Sequence, residues 1–151
     1  SLPDCLEALN YALSYDPEDA DSLCLMGRIY SEVVIDYEKA KLYFEEAMQC
    51  NVANLNTPKY YIKCLLDNED FQEAQKLIEY SLKIKGIDKM TVWLYRSLLS
   101  EKRGSFANAL KFLDEAEKYC FDEYSHNMIK DRRKFIKSKM PKKKKTKKET
   151  K

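Results

Sequence analysis

Apolar residues recur at three- and four-residue intervals along most of this chain, and the stripes they make fall into pairs. Leu23, Met26, Gly27 and Tyr30 share one helical face; after a short break, Tyr37, Ala40, Phe44 and Ala47 share another. The spacing predicts two antiparallel helices packed stripe to stripe. Gly27 and Ala40 let the backbones approach, and Tyr30 and Phe44 fill the space beside the contact. The pattern then returns. Asp36-Tyr37-Glu38-Lys39-Ala40 reappears as Asp70-Phe71-Gln72-Glu73-Ala74 and as Ser105-Phe106-Ala107-Asn108-Ala109, the alanines 34 and 35 residues apart. Trp93, Ser97, Ala109, Leu113 and Ala116 keep the large, small, small, large, small order of the first pair. Cys5, Leu9 and Ala12 stand where Ala40, Phe44 and Ala47 stand later. One position departs: Ile62 replaces a small residue, which predicts wider packing or a shifted register there.

Leu23, Met26, Gly27, Tyr30, Ala40, Phe44 and Ala47, repeating at about 34 residues, resemble the tetratricopeptide repeat (TPR), and Pro17 matches its closing proline. The resemblance implies an all-α, right-handed solenoid over residues 1–140. A half repeat at 1–17 precedes repeats at about 20–54, 55–88 and 89–122, and a capping helix at 123–139 ends the stack. Within these units, helices are expected at 3–15, 20–33, 37–50, 57–67, 71–84, 89–103 and 106–119. Asp19, Thr57, Asp88 and Asp122 are read as caps, Pro3 and Pro58 as first-turn residues, and Gly86 and Gly104 as helix stops.

Composition adds boundaries. Only three glycines and four prolines in 151 residues fit long helices and short turns. No stretch approaches 18 uncharged apolar residues, so no membrane span is expected. Five cysteines in no CxxC pair, with one histidine, argue for reduced, buried thiols in a cytoplasmic protein and against a metal site. The formal net charge of +2 conceals two opposite regions. Residues 137–151 hold nine lysines and one glutamate, a net of +8, whereas residues 1–136 carry 18 basic and 24 acidic side chains, a net of −6. The run at 141–151 can bury no apolar area and is expected to be disordered. Pro141-Lys142-Lys143-Lys144-Lys145 resembles a basic nuclear import signal, so nucleic-acid association or nuclear import through the tail is the second functional reading.

No catalytic signature is present. His126 stands alone, the glycines are scattered, and the carboxylates alternate with lysines on solvated faces, so neither an enzyme nor a cofactor is expected. What remains is surface. The resemblance implies that the first helix of each pair lines a concave groove for a peptide or helix. By aligned position one row is Leu25, Tyr60 and Tyr95, flanked by Cys24, Lys59 and Leu94 and by Arg28, Lys63 and Leu98. Arg28, Lys59 and Lys63 imply a partner segment carrying acidic residues. Chaperone-binding TPR domains grip a terminal carboxylate with asparagines, lysines and an arginine; Cys24, Arg28, Tyr60, Thr91 and Tyr95 at those places exclude that subfamily. The expectation is a non-catalytic adaptor or scaffold, monomeric or weakly self-associating through its half repeat. A third reading is a piece of a longer solenoid, since the chain opens on serine and an unpaired helix with Leu2, Leu6, Leu9 and Leu13.

Overall fold

The computed structural model describes residues 1–51 and 53–142. The described residues form helices and no strand: α1 (Leu2–Tyr15), α2 (Ala20–Ile29), α3 (Tyr37–Cys50), α4 (Thr57–Asp67), α5 (Phe71–Leu82), α6 (Lys89–Lys102), α7 (Phe106–Glu117) and α8 (Glu123–Lys139). Pairs α2/α3, α4/α5 and α6/α7 stack so that each second helix also packs on the next first helix, and first helices pack on one another. The result is an all-α solenoid. The expected disorder of the lysine-rich end falls largely on residues 143–151, outside the described residues.

The repeat core is built as the spacing predicts. Ala40, Phe44 and Ala47, then Ala74, Ile78 and Ser81, then Ala109, Leu113 and Ala116 are fully buried. A Cβ on Gly27 would lie 2.7 Å from Phe44 Cε1, so the glycine is what lets α2 meet the Phe44 ring. Ile62 and Ile78 are both fully buried in that core. The α4 and α5 backbones come close over less of their length than α2 and α3 or α6 and α7, as the bulk of Ile62 predicts. In the third pair, Ser97 Oγ donates to the Ala109 carbonyl at 2.7 Å, satisfying a buried hydroxyl across the α6/α7 contact.

Three expectations are corrected. The helix expected at 20–33 is α-helical only to Ile29 and continues as a π-turn, Tyr30–Val34. The cause lies in the count: thirteen residues separate Gly27 from Ala40, but twelve separate Ile62 from Ala74 and Ser97 from Ala109. The extra residue widens the turn, so Asp36 N–H bonds to Tyr30 O, six back, whereas Asp70 and Ser105 bond five back, to Leu65 and Ser100. Thr57 is not the cap of α4 but its first residue, after Asn56. Cys5, unlike Cys24 and Cys64, is exposed, because α1 lacks the helix that would cover its small-residue face.

α8 docks through Ile129 and Ile136, both fully buried. Glu101, at the end of α6 with its side chain 4% exposed, receives Arg132 and Lys139 of α8, Lys139 Nζ at 2.7 Å. Arg133 adds bonds to Glu117 (2.6 Å) and Asp114 (3.0 Å) on α7.

Candidate functional site

The residues of the expected groove come from α2, α4 and α6, and the stacking of these helices brings them together. Arg28 on α2 lays its guanidinium 4.1 Å from the centroid of Tyr60 on α4, and Lys59 Nζ lies 5.3 Å from the same ring. Tyr95 on α6 sits within the electrostatic reach of Lys63, Asp67, Glu32 and Tyr60; burial first, then the two carboxylates and Tyr60, raises its hydroxyl pKa against the opposing Lys63 charge. One face therefore joins three helices.

Exposure along that face is uneven. Leu25 is 41% exposed. Tyr60, Tyr95 and Leu98 are half-buried and pack on the main core, and Leu94 packs on the C-terminal core with Met90 and Trp93. The tyrosines thus both line the face and pack on the core. Cys24 is buried, and burial pushes its thiol pKa up against the opposing Arg28 charge. It contributes no surface.

Charge differs more from expectation. Arg28 pairs with Glu32 at 3.8 Å, Lys63 with Asp67 at 2.9 Å and Lys59 with Asp88 at 3.8 Å. The Asp67 hydrogen bond, acting against desolvation, holds the Lys63 ammonium pKa above its usual range. The sequence reading omits Glu32 and Asp67 and takes Asp88 only as a cap, although the i,i+4 spacing of Arg28–Glu32 and Lys63–Asp67 signals two of these pairs. Arg28 Nε is buried without a hydrogen-bond partner, while the guanidinium lies over the Tyr60 ring. Among the described residues no cluster of His, Cys, Asp or Glu could hold a metal, and no helix is long and apolar enough to cross a membrane.

No protein-family model and no curated protein matches the chain. Solved structures do. The Arabidopsis OM64 TPR domain superposes with a TM-score of 0.66 at 17% identity, covering 78% of this chain and 96% of that one. YrrB, described as a TPR protein with an unusual peptide-binding site, gives 0.63 at 19% identity over 74% of this chain and 57% of its own. PilF of Pseudomonas aeruginosa gives 0.71 at 15% identity over 89% and 64%. The chain therefore spans less than two thirds of YrrB and PilF. The fold of this chain is that of tetratricopeptide-repeat domains.

Proposed function

We propose that the chain is a non-catalytic, cytoplasmic protein-interaction adaptor that holds a peptide or helix of another protein along Leu25, Arg28, Lys59, Tyr60, Lys63, Leu94, Tyr95 and Leu98. The observation that carries this reading is the Arg28–Tyr60 stack beside exposed Leu25. There an apolar step, an aromatic face and a cation lie next to one another, the residue types that anchor protein interfaces. Half-buried tyrosines supply area at little entropic cost, because packing already fixes their rings. The bound segment carries acidic residues. Partly exposed pairs such as Arg28–Glu32 are each worth only about 0–1 kcal/mol, so a partner carboxylate can compete for these cations. YrrB's description as a peptide-binding TPR protein is consistent with this use of the fold.

The test is peptide selection against the full chain, followed by titration of the best binder into variants. Leu25→Asp and Arg28→Gln should weaken binding about tenfold or more, with little change in thermal stability, and added salt should weaken it further. Unchanged affinity in both variants would remove the groove from consideration.

A further inference from the structure

Three of the chain's five arginines face carboxylates: Arg28 beside Glu32, Arg132 against Glu101, and Arg133 between Asp114 and Glu117. Among the described residues the other two, Arg96 and Arg103, make no ion pair. Both line one cavity of about 200 Å³ walled by α5, α6 and α7. Arg96 lies on α6 and Arg103 is its C-terminal cap residue, seven positions and about two turns further on. Only neutral groups orient them. The Arg96 guanidinium lies 4.6 Å from the Phe112 ring centroid and 5.3 Å from that of Trp93. Arg103 donates to Gln75 Oε1 at 2.6 Å, and the Gln75 amide nitrogen donates to Glu79, which sets its orientation.

Hydroxyls and an amide complete the rim. Ser100, Ser105 and Asn108 line the cavity, and the Ser105 hydroxyl makes no capping bond to α7. Buried Leu99 and Ile78 close its base, and no carboxylate lines it. In residues 1–136, whose net charge is −6, two cations line one concave site and, among the described residues, neither pairs with a carboxylate. None of the lining residues belongs to the groove rows.

We propose that this cavity is an oxyanion site that takes a phosphate group, as the free ion or as a phosphomonoester. Two guanidinium forks match the geometry of several phosphate oxygens, and a charge near −2 balances two arginines where a carboxylate balances one. The hydroxyls of Ser100 and Ser105 and the Asn108 amide supply neutral donors for the remaining oxygens.

Titrating the isotope-labelled full chain with inorganic phosphate and with phosphoserine, at ionic strength held constant by sodium chloride, tests this directly. The single tryptophan, Trp93, gives an indole signal beside Arg96, and the amides of 103–108 report on the rim. Saturating shifts at these signals are expected. Saturation by both ligands identifies a phosphomonoester site, and by inorganic phosphate alone a free-ion site. Arg96→Gln and Arg103→Gln should each raise Kd about tenfold or more. Arg103→Lys keeps the charge but loses the fork, and should fall between. Shifts confined to the lysine-rich end, or curves unchanged in all three variants, would overturn the assignment.

Discussion

Gly27→Ala tests the packing logic of the repeat with the smallest possible change. On helical propensity alone alanine should stabilise α2 by about 0.8–1.0 kcal/mol relative to glycine. The new Cβ, however, would lie 2.7, 2.8 and 3.0 Å from Phe44 Cε1, Cδ1 and Cγ. The Phe44 ring has little freedom to retreat, being fully buried and stacked on Tyr61 at 5.5 Å between centroids. Overpacking of this kind costs about 1–3 kcal/mol, so the net effect should be a loss of up to about 2 kcal/mol. Gly27→Leu should be worse. The decisive comparison is the same change in a Phe44→Leu background, where the aromatic edge is gone and the propensity gain should reappear. The expected coupling between the two sites is about 1–3 kcal/mol, read from urea unfolding followed by far-ultraviolet circular dichroism. A stabilising Gly27→Ala in the native background, or the absence of coupling to Phe44→Leu, would refute the close α2/α3 contact.

Further outcomes follow from single features. Ile35 (φ 61°) and Glu69 (φ 59°) hold the left-handed conformation that Gly104 (φ 78°) holds in the third repeat, so Ile35→Gly should raise stability by about 1 kcal/mol and Gly104→Ala should lower it, both read by thermal melting. Glu101→Ala should loosen α8 by about 1–2 kcal/mol, a discounted figure because Arg132 and Lys139 remain partly solvated, and amide exchange in 123–139 should accelerate accordingly. Desolvation raises the Asp70 pKa, but hydrogen bonds from Asn68 and Lys41 outweigh it and leave that pKa below the usual value. The stability this group contributes is therefore present above the ordinary aspartate range and is lost as pH falls through its lowered value; Asp70→Asn should flatten the acid limb of a stability–pH profile.

The repeats were legible because their signal is steric and local. A glycine opposite a phenylalanine, alanines at a fixed phase, and the caps Asp88 and Asp122, which accept hydrogen bonds from Thr91 and Ser125 N–H, are each written in a few neighbouring residues. The π-turn at Tyr30–Val34 was not read, though the thirteenth residue between Gly27 and Ala40 marks it, because a helical stripe tolerates one surplus residue without losing its appearance. Left-handed Ile35 and Glu69 were hidden for a related reason: neither residue type announces that conformation. In the groove, periodicity placed Leu25, Tyr60 and Tyr95 on aligned helices. It could not say how deeply each ring sinks, which depends on the neighbouring repeat. The Lys59–Asp88 pair joins residues 29 apart and needs the stacked array, whereas Arg28–Glu32 lies within one helix turn and could have been found.

The central claim is that the faces of α2, α4 and α6 bearing Leu25, Tyr60 and Tyr95 hold a protein segment. Its most direct test is amide and side-chain shift mapping of the full chain with a peptide selected to bind it. Shifts should concentrate on Leu25, Arg28, Tyr60, Lys63, Tyr95 and Leu98, with acidic positions recurring in the selected peptides. Shifts centred instead on α3, α5 and α7, for instance around the exposed Leu42 and Tyr80, would contradict the account.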